Sequence, residues 1–132
     1  MSTAALCGRG FFDNKGLCRG AGNWRRLLEQ NHITEEGINN SYDAVFDIVT
    51  VAQPSGELWK KLYKDNPARR QKTPEEARER EKQIQRDWAN HHNLIVFEND
   101  DAGWEGKFER MFREVCSILG VDPEKNLSYP IF

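Results

Sequence analysis

The residues best equipped for chemistry in this chain are arginines, glycines and carboxylates, and they fall in a few short stretches. Near the start, LCGRGFFDNKG (residues 6–16) sets Gly8, Arg9 and Gly10 in a sharp turn ahead of Asp13. Glycines at this spacing let a backbone turn tightly or approach a ligand closely. The stretch therefore reads either as a loop that holds a phosphate or as a plain tight turn. A second stretch, NPARRQK (residues 66–72), carries Arg69, Arg70 and Lys72. Arginines on a lid close over phosphates and stabilise charge in transfer. In a solvated turn the same cations would pair with Glu75, Glu76 and Glu79. His91 and His92 are candidates for acid–base work, since histidine alone titrates unperturbed near neutrality. The plainer reading is that they favour the C-terminal dipole of the helix they end. Asp47 is a charge inside an apolar run, so it must face a cleft or meet a cation. Cys7 stands near Arg9, which favours a thiolate, although burial as a small apolar residue is the plainer reading.

Established phosphate and metal motifs fit poorly. Gly8-Arg9-Gly10-Phe11-Phe12 begins a dinucleotide fingerprint, but Asp13 replaces the third glycine that close helix packing needs. Glu29, about 20 residues on, stands roughly where a ribose-binding acid would. Two phenylalanines would crowd a pyrophosphate. No GxxxxGK[ST] loop occurs: Gly106-Lys107 is followed by Phe108 within an amphipathic helical pattern. That removes the backbone nest for a β-phosphate and the hydroxyl that would hold magnesium. His32, His91, His92 and three cysteines lack zinc-ligand spacing.

With 132 residues, 38% hydrophobic and 30% charged, the chain is expected to form one soluble domain. A formal net charge of −2 argues against a nucleic-acid partner. No apolar run is long enough to cross a bilayer, and MSTAALCGRG lacks the build of a secretion signal. Cys7, Cys18 and Cys116, an odd set without CxxC spacing, point to reduced thiols and a cytoplasmic protein.

Periodicity predicts the elements that position these residues. STAALC reads as a buried strand entering the glycine turn. From Asn14 to Gln30, Leu17, Trp24, Leu27 and Leu28 fit a helix. HITEEG reads as a short helical turn from Thr34 to Gly37. YDAVFDIVTV (residues 42–51) is a strand covered on both faces. Leu58, Trp59, Leu62 and Tyr63 share one helical face. TPEEA starts a further helix, with Thr73 as cap, Pro74 first and Glu76 closing a capping box. That helix offers Ala77, Ile84 and Trp88 as a narrow apolar stripe, with Glu76 and Arg80 in favourable order. NLIVFEN is a second buried strand. The last helix places Trp104, Phe108, Met111, Phe112, Val115 and Leu119 on one face and ends at Gly120. Strands alternating with helices imply an α/β fold, a parallel sheet with flanking helices.

Several of these stretches together resemble one family. YDAVFDIVTVA, NPARRQKTPEEAREREKQIQRDWANHHNLIVFEN and WEGKFERMFREVCSILGV are similar, in order and spacing, to the AAA-type P-loop ATPase domain of the NadR-like and TRPL translocation defect proteins. The resemblance covers roughly residues 4–121. It implies a truncated P-loop NTPase-like three-layer sandwich over residues 1–121, with a lid at about 64–92 and a tail at 122–132. CGRGFFD matches the family's phosphate-facing CDRG segment at Arg9, Gly10 and Asp13, with Gly8 where the family has aspartate. Arg69 matches the lid arginine, and Arg78, Trp88, His91 and Asn99 match the lid helix and the following strand. Asn93 and Asp47 each replace a family histidine. The resemblance thus implies Arg69 and Asp13 as catalytic residues, and Arg9, Gly10, Arg70, Arg78 and His91 as contacts to ATP or GTP. The matched region begins after the family's first strand and P-loop, so the expectation is a nucleotide-binding domain impaired in magnesium binding and catalysis. The alternative expectation is a non-catalytic interaction module, its open sheet edge covered by a protein partner or a second copy.

Overall fold

The computed structural model describes residues 4–18, 20–53, 56–63, 65–68 and 73–125. Two short strands, β1 (Val45–Ile48) and β2 (Leu94–Phe97), pair in parallel, with Val45 opposite Leu94 and Ile48 opposite Phe97. Among the described residues five α-helices accompany them: α1 (Ala21–Gln30), α2 (Glu35–Asn40), α3 (Glu57–Tyr63), α4 (Pro74–Trp88) and α5 (Gly103–Leu119). The chain is therefore α/β, with α3 and α4 forming the crossover between parallel strands.

The opening stretch departs from the strand expected there. Residues 4–7 join no sheet and are exposed, Leu6 to 82%. Residues 2 and 3 of that expected strand, and residues 126–132 of the expected tail, lie outside the described residues. After the Gly8–Gly10 turn comes a 3₁₀ helix, Phe11–Leu17, and only then α1, so the helix expected from Asn14 onward is split. The glycine-rich run Gly16 to Gly22 explains the break, because glycine gives a helix interior little support. Phe12 enters the main core with Trp24, Leu28, Ile38 and Trp88, against which Tyr42, Val45, Ile84 and Leu94 pack.

Local signals act as their chemistry requires. The Thr34 hydroxyl caps α2 by accepting the Gly37 N–H at 3.0 Å, and the helix runs through Gly37 to Asn40 rather than ending there. Thr73 caps α4 by accepting the Glu76 N–H at 3.1 Å, with Pro74 in the first turn. Gly120 closes α5 at φ 69°, a left-handed geometry that suits glycine. A second small cluster, Ala52, Trp59 and Ala77, fixes α3 against α4.

Alternation assigns the two faces of the sheet. Val45 and Leu94 pack toward α4, while Phe46 and Phe97 meet edge-on at 4.9 Å on the other face. Helix α5 covers its expected stripe only in part: Met111, Phe112, Val115 and Leu119 are half-buried. Trp104 is 62% exposed and Phe108 is exposed, whereas Lys107 and Cys116 are buried. The helix is turned so that Lys107, rather than Trp104, meets the end of β1. Among the described residues no helix is long and apolar enough to cross a membrane.

Candidate functional site

Helix α4 runs antiparallel to β1 and has two chemically different ends. Its C-terminal end lies beside the start of the strands, and its N-terminal half lies beside the loop that leaves β1. Of the residues singled out from the sequence, Arg9, Gly10, Asp13 and His91 gather at the first end and Arg78 lies at the second.

At the C-terminal end, the Trp88 indole is a hub. Its Nε1–H donates to Asp13 Oδ1 at 2.7 Å, and its ring meets Phe12 at 4.9 Å, Tyr42 at 5.4 Å and His91 at 6.1 Å. The second Asp13 oxygen accepts the Gly10 N–H at 3.2 Å, with the Arg9 guanidinium 3.9 Å away. The Asp13 carbonyl accepts a bond from Arg80 at 2.7 Å, so Arg80 reaches across to the opening segment. Gly10 is glycine for a steric reason. A Cβ there would lie 2.2 Å from the Trp88 ring, so the glycine permits close packing, without any positive φ. His91 is buried: Nδ1 accepts the Asn93 N–H at 3.0 Å, so Nε2 is the atom that donates to the Tyr42 carbonyl, at 2.9 Å. This pattern assigns the tautomer and occupies both ring nitrogens. Asp13 likewise has both oxygens engaged by protein donors, and does not fit as a magnesium ligand. Arg9 alone of this group extends into solvent.

Arg78 sits ten residues earlier, about 15 Å along the helix. Its guanidinium donates to the Ala52 carbonyl at 2.9 Å and to Glu75 at 3.1 Å. Glu79 pairs with Lys82. Arg69, Arg70 and Lys72 lie outside the described residues.

A buried polar cluster gathers where β1 ends, and of it sequence reasoning singled out Asp47 but missed Glu81 and Lys107. Asp47, Glu81 and Lys107 are 7%, 8% and 3% exposed. The Gln85 amide donates to Asp47 Oδ2 at 2.7 Å and to Glu81 Oε1 at 3.4 Å. Glu81 Oε2 accepts the Thr50 N–H at 3.0 Å. Lys107 Nζ donates to the Val49 carbonyl at 2.6 Å and to Asn99 Oδ1 at 2.7 Å. The Asn99 amide then donates to the carbonyls of Thr50 and Gln53. Burial, with the Asp47 carboxyl alongside, pushes Glu81 up to about 8. Burial also holds the Lys107 amine below its ordinary value. The sequence does carry a signal for this cluster: Ala77, Glu81, Ile84 and Trp88 form one stripe at helical spacing, and a carboxyl on that stripe faces the one carboxyl in the strand.

Two clefts open on the surface elsewhere. One of about 380 Å³ is lined by Phe11, His32, Ile33 and Tyr42 among others, and one of about 310 Å³ by Trp104, Glu105, Phe108 and Glu109. Neither includes Arg9, Asp13, Arg78 or His91. Among the described residues no group of three or more His, Cys, Asp or Glu side chains could hold a metal ion. Compared with known protein families, curated proteins and solved structures, the chain matches none.

Proposed function

We propose that this chain binds the phosphates of ATP or GTP as a catalytically impaired, P-loop NTPase-like domain. The reading rests on the resemblance to the NadR-like and TRPL translocation defect proteins. Its support in the geometry is one juxtaposition. The loop leaving β1 (Thr50 to Gln53) lies against the N-terminal half of α4 and is bonded by Arg78. Crevices beyond the carboxyl ends of parallel strands are where open α/β sheets bind ligands. Arg69 and Arg70 immediately precede α4 in the sequence and would bring further charge to that edge. The phosphate contacts of this reading are Arg69, Arg70 and Arg78. Gly10, Asp13 and His91 instead serve the Trp88 hub, and Arg9 extends into solvent beside Asp13.

Calorimetric titration with ATP and GTP, with and without magnesium, tests this. Saturable binding is expected, weakened about tenfold by Arg69→Ala, the loss of one charge-assisted contact, with the melting temperature barely moved. A folded chain that takes up neither nucleotide overturns the proposal.

A second reading, a non-catalytic interaction module, has its own observation. The sheet has two strands with both outer edges unpaired among the described residues, and Ile48 and Val96 are exposed on it. A sheet this small is normally completed or covered. On this reading a second copy covers it. The chain then elutes larger than a monomer, and Val96→Lys returns it to monomer size. A stable monomer at all concentrations refutes it.

A further inference from the structure

Two carboxyl groups and one amine are buried together where β1 ends, and their count has a consequence of its own. With Lys107 charged and both carboxyls ionised, the cluster holds one uncompensated negative charge where little water reaches. Such a charge is costly, and a single added proton removes it. The hydrogen bonds leave a place for that proton. Glu81 Oε2 is taken by the Thr50 N–H, while Oε1 faces Gln85 and the Asp47 carboxyl. Gln85 provides a donor to each carboxyl, and the remaining need is for one carboxyl to donate to the other.

We propose that the Asp47–Glu81 pair is a proton-gated latch, holding α4 and the loop after β1 against the sheet while it shares one proton and loosening them when that proton leaves to solvent. Lys107 on α5 is the cation beside the pair, and Gln85 on α4 donates to both carboxyls. Arg110 on α5 and Glu98 after β2 bear on Lys107, Asn99 accepts its bond, and Arg78 on α4 is engaged by the Ala52 carbonyl. Helix α3 packs one turn away on the Ala52–Ala77 cluster through Trp59 and Tyr63, and its charged residues are Glu57, Lys60 and Lys61. Lys107 bonds directly to the end of β1, through the Val49 carbonyl. Its single charge cannot offset two carboxylates. The latch holds the same loop that Arg78 bonds, but its titration and unfolding are read on the chain without nucleotide and so stand apart from the nucleotide-binding proposal.

Linkage fixes the direction of the pH effect. Glu81 titrates at about 8 in the folded chain against 4.5 for an ordinary glutamate. The folded state therefore keeps a proton that the unfolded state releases. The latch's stabilisation is complete below the ordinary glutamate range and is lost as pH rises through about 8.

The test is a carbon-13 NMR titration of the glutamate carboxyls in the full chain, joined to urea unfolding between pH 5 and 9. The Glu81 midpoint is expected near 8. The unfolding constant of the native chain should rise relative to Glu81→Gln by up to about tenfold per pH unit below that midpoint, the slope of one linked proton. Should Glu81→Gln fail to fold, Asp47→Asn removes the repelling carboxylate and should move the Glu81 midpoint clearly downward. A native midpoint in the ordinary glutamate range, parallel pH profiles, or a midpoint indifferent to Asp47→Asn each overturns the latch.

Discussion

Replacing Gly10 by alanine is the most direct trial of the packing role given to the opening stretch. A Cβ at this position would lie 2.2 Å and 2.7 Å from two carbons of the Trp88 ring. Something must shift, and the ring has little room. It is 2% exposed, boxed by Phe12, Tyr42 and His91, and tethered through Nε1 to Asp13. Forcing a methyl group into a packed core costs about 1–3 kcal/mol, and the confinement of this ring places Gly10→Ala in the upper half of that range. For 132 residues the entropy of unfolding at the midpoint makes 1 kcal/mol equivalent to roughly 3–4 °C. Gly10→Ala should therefore lower the melting temperature by roughly 7–10 °C in a far-UV circular dichroism melt. Gly8→Ala is the control, because nothing lies within 4 Å of its Cβ and its φ is not positive. It should leave stability unchanged or raise it by up to about 1 kcal/mol through the unfolded state. A Gly10→Ala chain that melts with the native one, yet loses nucleotide binding, would refute the packing role and return Gly10 to a ligand-facing one.

Two further substitutions probe helix α4 and its neighbour. Thr73→Ala removes the acceptor for the Glu76 N–H and should cost about 1 kcal/mol in urea unfolding; no measurable loss would mean the cap is replaced by water. Lys107→Met keeps the length of the side chain but strips the cluster of its cation and leaves the Val49 carbonyl and Asn99 Oδ1 without their donor. It should cost about 3–5 kcal/mol, as breaking one side of a buried charge arrangement does. A loss under about 1 kcal/mol would show that the cluster is solvated rather than buried.

Much of the framework is legible in the sequence because it rests on local rules. The caps at Thr73 and Thr34, the stop at Gly120, and the two β-branched runs each carry their own signal within a few residues. The parallel pairing is implied by the helical crossover between those runs. The leading STAALC run misleads because a strand needs a partner, and apolar composition alone does not supply one. Among the described residues no strand lies beside Leu6, which stays in solvent. The α5 face misleads for a related reason. Trp104 and Phe108 fit an apolar stripe, but a bond from Lys107 to the end of β1 decides which way the helix turns. Asp47 stands out as anomalous in the sequence, while its partners do not, since Glu81 and Lys107 lie 34 and 60 residues away in the chain. Polar residues on an apolar stripe are a readable warning. Which of them meet is a property of the fold.

The Trp88 hub also bears on the order in which the molecule comes together. Its bond to Asp13 closes a separation of 75 residues, the Arg80 bond to the same residue 67, and the His91 bond to Tyr42 49. Loops of this length close late, because their entropy must be met before any contact rewards it. The crossover from β1 through α4 to β2 can assemble by itself, whereas the segment through Leu17 has the finished surface of α4 to settle on. Burial of the indole therefore waits on the docking of Gly10 to Leu17, the segment that walls the core against α4.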